Sequence, residues 1–140
     1  MLTEKGAVRD AYTQRVLRSF LERAFRRPAL PGEVERYLEF WKSIEEEHAC
    51  YEEGVKEALL AMLCSPHFLF LVEPEELGSP LSDHALASRL AFFLWNGPPD
   101  GELRTLADRG ELRSALGAQV RRMLGDPRAQ RFGRSFATEW

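Results

Sequence analysis

The chain has two cysteines in 140 residues, Cys50 and Cys64, too few for a disulfide framework. It contains no CxxCH, so nothing in it attaches a c-type haem. No Gly-rich phosphate loop, no GxSxG and no HExxH is present, which removes the common signatures of nucleotide binding, serine hydrolysis and zinc proteolysis. No uninterrupted apolar run approaches the ~20 residues that span a bilayer. The opening residues, MLTEKGAVRD, are polar and carry no secretory h-region, as would an internal piece of an exported protein. An excess of positive charge is also missing. The pI is about 5.7, whereas nucleic-acid modules are usually strongly basic.

What remains is 44% hydrophobic and 29% charged, the composition of an ordinary globular domain able to bury a real core. The densest apolar run is Ala58–Val72, ALLAMLCSPHFLFLV, interrupted only by Ser65, Pro66 and His67. It predicts the centre of the core, with Leu59 and Phe68 inside it and Phe68–Leu71 enclosed on several sides.

The rest of the chain reads as helices packed around that run. Residues 1–9 read as a tail. Val16, Leu17, Phe20, Leu21, Ala24 and Phe25 recur at helical spacing and predict an amphipathic helix over 10–27, stopped by Pro28. Arg26 and Arg27 then lie in its last turn, near the negative end of the dipole. A second helix is predicted over 31–47, with Val34, Tyr37, Leu38, Trp41 and Ile44 on one face and a fraying, solvated Glu45–Glu47 end. A third covers 51–64, its face Val55, Ala58, Leu59, Met62 and Leu63 widened by Leu60 and Ala61. Ser65–Pro66 signals a short kinked helix through Leu71.

Residues 75–81 read as an acidic linker with Gly78 and Pro80. Ser82 caps a helix to Trp95 bearing Leu86, Leu90, Phe93 and Leu94. Asp100 caps a short helix closed by Gly110. A further helix covers 114–124 with Leu116, Val120, Met123 and Leu124 in phase, and Asp126–Pro127 opens a last one. That last helix carries Phe132, Phe136 and Trp140 as one stripe running to the final residue. The stripe is expected to be covered by further chain in a longer protein and, left bare, to drive self-association.

Charge is unevenly placed. Residues 1–27 sum to +4, residues 28–80 to −9 and residues 81–140 to +2. Helices of opposite sign lying side by side account for this more simply than a ligand-steering field.

The sharpest chemical candidate is His48-x-Cys50 with Cys64-x-x-His67, four zinc-competent ligands in two pairs. A helix over 51–64 rises ~1.5 Å per residue and holds the two cysteines ~21 Å apart. That distance rules out one shared zinc and a disulfide alike. No metal site is therefore assigned. Asp83–His84 resembles half of an acid/base pair, but helix neighbours do not face one another. The pair reads as a solvated first turn, and no catalytic residue is assigned. Arg121, Arg122, Arg128, Arg131 and Arg134 read as structural or partner-facing rather than as phosphate contacts.

RAFRRP at 23–28, EVERYL at 33–38 and EEGVKEALLAMLCSPHFLF at 52–70 resemble one of the planctomycete-specific domains of unknown function. LASRLAFFLW at 86–95, PDGEL at 99–103 and QVRRMLGDPRA at 119–129 resemble the start of a second such domain that normally follows the first. Leu71 departs from the pattern, which more often has Arg there. The resemblance implies large, exported, multidomain proteins, periplasmic or at the cell surface, alongside cytochrome-c-like haem domains. It supplies no catalytic residue.

The expected fold is all-α, about seven short helices in two modules, 10–74 and 82–140, the second truncated at its C-terminus. The expected function is a non-catalytic scaffold or docking module of a haem-associated exported protein. Its expected partners are other domains of the same chain, with no nucleic acid, no membrane span and no cofactor of its own. A structural part of an enzyme whose active site lies elsewhere, and a nucleic-acid-binding helical module, are the alternatives.

Overall fold

In a computed structural model, residues 2–47, 50–71, 80–130 and 133 are described. They form seven α-helices and two 3-10 turns, and no strand occurs among the described residues. The helices are α1 (Leu2–Ala24), α2 (Glu33–Ile44), α3 (Tyr51–Leu63), α4 (Pro66–Leu69), α5 (Asp83–Trp95), α6 (Gly101–Asp108) and α7 (Leu112–Leu124). The 3-10 turns are Glu45–Glu47 and Pro127–Ala129. The fold is all-α. The chain divides into two compact units, Met1–Phe70 and Leu71–Trp140. Of the expected 75–81 linker, only Pro80 and Leu81 fall among the described residues.

The first unit packs α1, α2 and α3 on one another. Leu17, Leu21, Val34, Trp41, Ala58 and Met62 form its centre, all fully buried. The 3.6-residue period places Leu17 with Leu21, and Ala58 with Met62, on single faces. The expected tail is a correction: residues 2–9 are helical and belong to α1. Its other end is three residues shorter than the periodicity implies. Pro28 forbids a helix through the preceding residues, and Arg26 turns the chain with φ +60. Gly32, at φ +76, enters α2 in the left-handed region that suits glycine.

A larger correction concerns the apolar run. Its first half, Ala58 and Met62, is core. Its second half is not: Leu69 is 59% exposed and Phe70 65%, and Phe68 and Leu71 are exposed too. Helix α4 lasts one turn, because the chain is extended at Phe70. Leu60, expected to widen the α3 face, is likewise exposed.

The second unit packs α5 on α6 and α7. Its buried centre is Ala87, Ala91, Leu94, Trp95, Leu103, Ala107, Leu112 and Met123. Three of these are alanines, packed beside the large buried side chains of Leu94, Trp95 and Leu103. Phe93 and Leu124, both predicted inside, are exposed. Ser82, Asp100 and Asp126 cap as predicted, accepting from the backbone N–H of Ala85 (3.2 Å), Leu103 (3.0 Å) and Arg128 (2.8 Å). The stripe Phe132, Phe136, Trp140 lies outside the described residues.

Candidate functional site

Two polar constellations stand out, one in each unit, and each contains an arginine whose partners the sequence pattern does not identify. In the first unit Arg26 is 9% exposed. Its guanidinium reaches α4 and the residues after it. Nη2 donates to the carbonyls of His67 (3.0 Å), Phe68 (3.3 Å) and Phe70 (3.1 Å), while Nη1 donates to those of Ala24 (3.1 Å) and Phe68 (3.3 Å). The carbonyls of His67, Phe68 and Phe70 lie at the C-terminal end of a one-turn helix, where acceptors lack intrahelical partners. A fixed fork of five donors suits them, where an ammonium would act as a single point. Burial lowers the pKa of this guanidinium from its ordinary value.

The residues flanking Arg26 complete the turn. Phe25 is buried and packs its ring against His67, centroids 5.4 Å apart. Arg27 makes a bidentate pair with Glu33, both contacts 2.8 Å, and the same carboxylate accepts from Leu30 N–H at 2.9 Å. Glu33 is 4% exposed. The Arg27 hydrogen bond lowers its pKa below the usual carboxylate range, against burial, which raises it; the Leu30 N–H and the charges of Arg27 and His67 lower it further. The whole segment 23–33 is thus a folded bracket that grips Pro66–Phe70. The sequence pattern assigned Arg26 to the end of its own helix; its partners lie 41 to 44 residues away.

In the second unit the centre is Trp95, whose indole N–H donates to the Met123 carbonyl at 3.1 Å. The Arg128 guanidinium lies 3.5 Å from its ring centroid, and that of Arg122 5.5 Å. Asp100 joins them, accepting from Arg122 at 2.8 Å with Arg128 at 3.7 Å. Arg122 also donates to Gln119, which donates in turn to Glu102. Asp126 accepts from Arg128 through both carboxylate oxygens, at 2.9 and 2.7 Å. That Arg128 hydrogen bond, with the Arg128 backbone N–H, holds the Asp126 pKa down to about 2. Burial pushes Asp100 upward, and the Arg122 and Leu103 hydrogen bonds with the charges of Arg122 and Arg128 outweigh it, leaving its pKa lowered.

A general acid needs a raised pKa, and these carboxylates are shifted the other way by their arginines. The sign of their linkage is definite. A depressed folded pKa stabilises above the ordinary value of 3.8 and stops doing so as pH falls through the folded value. Asp126, Asp100 and Glu33 all act in this sense. Thermal midpoints are therefore expected to be flat down to about pH 4 and to fall between about pH 4 and pH 2. The Asp126→Asn variant should show a shallower fall. A wild-type midpoint unchanged across that window would contradict these pairings.

The residues weighed for metal binding are not drawn together. Cys50 and Cys64 are both exposed, and they flank α3 at its two ends. His67 lies in α4 against Phe25, and His48 is outside the described residues. Among the described residues no group of three or more His, Cys, Asp or Glu is placed to hold a metal. Asp83 and His84 serve different partners. Asp83 accepts from Leu112 N–H at 2.9 Å, tying α5 to α7, and His84 Nε2 faces Asp108 at 3.5 Å. Both are half-buried, so the expected solvated turn is instead a link between helices. Arg131 and Arg134 lie outside the described residues. No described helix is long and apolar enough to cross a membrane.

Comparison with known families gives two matches, one in each part of the chain. Residues 12–73 match the model of PSD5, a protein of unknown function (DUF1595), and residues 81–140 match that of PSD4, a protein of unknown function (DUF1592). Neither the curated proteins nor the solved structures contain a match. The first match covers the Arg26 bracket and the helices it joins, the second the Trp95 cluster. Residues 12–73 are therefore similar to DUF1595 and residues 81–140 to DUF1592, both families of unknown function.

Proposed function

We propose that this chain is a non-catalytic helical docking module of a larger multidomain protein, and that Phe68–Leu71 is its contact segment. The observation that carries the reading is that four consecutive large apolar residues are exposed while Arg26 holds the carbonyls of His67, Phe68 and Phe70. Contiguous exposed apolar residues mark interaction sites more often than chance scatter does. A backbone already fixed has little conformational entropy left to lose on binding. The carboxylates best placed for chemistry are ionised and paired, which supports a structural role over a catalytic one.

The partner in this reading is another domain of the same full-length protein. That protein is exported and carries a cytochrome-c-like haem domain, recognisable by a CxxCH in the flanking reading frame. Co-expression of residues 1–140 with the remainder of the reading frame as a separate polypeptide is expected to give a stable complex. The double variant Leu69→Glu, Phe70→Glu should lose it while retaining the wild-type circular dichroism and melting midpoint, since both side chains are already exposed. A complex that survives both substitutions, or no complex with the wild type, sinks the proposal.

A further inference from the structure

The first unit contains a second polar group of residues, at the end of the bundle away from the Arg26 bracket, running from the exposed Arg9 inward to the buried Thr13 and Trp41. It is assembled from α1 (Arg9, Thr13), α2 (Trp41), the 3-10 turn after it (Glu45) and the start of α3 (Tyr51). Thr13 is fully buried. Its hydroxyl is 2.9 Å from both the Arg9 carbonyl and the Tyr51 hydroxyl. The Arg9 guanidinium lies over the Trp41 ring, 5.5 Å from its centroid, and pairs with Glu45 Oε1. The Tyr51 ring meets Trp41 edge-on at 5.8 Å. These contacts leave two atoms over. Trp41 Nε1 and Glu45 Oε2 are both buried, and neither has a hydrogen-bond partner among the described residues.

A buried donor or acceptor left unpaired costs about 1–3 kcal/mol, so native structures rarely carry one without a partner. Here a lone donor and a lone acceptor occur together, on residues four apart. Such residues lie on adjacent turns of one helical face, with Cβ atoms about 5–6 Å apart. The two do not reach each other. What fits between them must accept from an indole N–H and donate to a carboxylate. A metal cation or an ammonium cannot accept. An inorganic anion such as chloride cannot donate, and the Glu45 charge repels it. A hydroxyl group does both, and water is the smallest molecule that carries one. It also meets the requirement that a buried water have two or more polar partners.

We propose that one ordered water molecule is bound inside the first unit between Trp41 and Glu45, accepting a hydrogen bond from Nε1 and donating one to Oε2. Through Glu45 Oε1 and Arg9 it joins the end of α2 to α1. This end of the core is then a fixed wet contact, independent of any docking at Phe68–Leu71.

The test is rotating-frame Overhauser spectroscopy on the 15N-labelled chain, in which dipolar contact with bound water and chemical exchange give peaks of opposite sign. The Trp41 indole proton, assigned by its disappearance in Trp41→Phe, is expected to show a dipolar peak to water. The Trp95 indole, bonded to the Met123 carbonyl, is expected to show none and serves as the internal reference. Glu45→Gln keeps a polar partner and should keep the peak, whereas Glu45→Leu should lose it. No dipolar peak at Trp41 in the folded wild type overturns the proposal. So does a peak that persists in Glu45→Leu, or a crystal structure with Trp41 Nε1 bonded directly to Glu45.

Discussion

Trp41→Ala is expected to lower the unfolding free energy by about 3–5 kcal/mol, the range for removing a large aromatic side chain from a core. Trp41 is fully exposed to neighbours and not at all to solvent, in a core shared with α1 and α3 residues. The substitution leaves a cavity and removes three specific contacts. These are the edge-on Tyr51 ring, the Arg9 guanidinium over the indole face, and the anchoring of α2 beside Leu17 and Leu21. An aromatic pair alone is worth roughly 0.5–1.5 kcal/mol beyond its buried area. Because Trp41 is also a fluorophore, urea titration should be followed by far-UV circular dichroism. Phe93→Ala is the control. It removes a ring of comparable apolar character that is 65% exposed, and its effect should stay within about 0.5 kcal/mol. Equal costs for the two substitutions would mean that the centre of the first unit has been misplaced.

Arg26→Ala is the second large effect, expected at about 2–3 kcal/mol, the range for losing hydrogen bonds made by a charged group. The substitution strips the carbonyls of His67, Phe68 and Phe70 of their shared donor and leaves the left-handed turn in place. That turn gives the prediction internal structure. At φ +60 any side chain with a Cβ costs about 1–2 kcal/mol that glycine does not. Arg26→Gly should therefore be about 1 kcal/mol less destabilising than Arg26→Ala, although both lose the guanidinium. Arg26→Lys keeps the charge but not the fork, and should fall between wild type and Ala. Hydrogen exchange should show faster exchange at Phe68, Leu69 and Phe70 in all three. Unchanged exchange there in Arg26→Ala would mean that the bracket does not hold the segment.

Helix positions in this chain are local properties and were readable as such. Ser82, Asp100 and Asp126 cap because a short polar side chain before a helical stretch satisfies the nearest N–H groups, and no distant residue is consulted. Leu17 and Leu21, or Ala58 and Met62, share a face because 3.6 residues make a turn. The family resemblance rested on local strings such as RAFRRP and LGDPRA, and the matched families bear it out.

Which apolar residues would be buried was a different matter. Phe68–Leu71 and Phe93 are as apolar as Met62 or Leu94, and composition cannot tell them apart. The choice depends on what faces each helix. In α5 it is Ala87, Ala91, Leu94 and Trp95 that share the buried face, and Phe93 lies off it, 65% exposed. In Pro66–Phe70 it is Arg26, distant in sequence, that fixes the backbone with its side chains outward. Local sequence determined most of the helices and the caps at Ser82, Asp100 and Asp126, because those depend on groups within a few residues. Tertiary structure decided the partners of Arg26, Glu33, Asp83 and Arg122, and the exposure of Phe68–Leu71, because a hydrogen bond or a packed face needs a second element whose position no local pattern encodes.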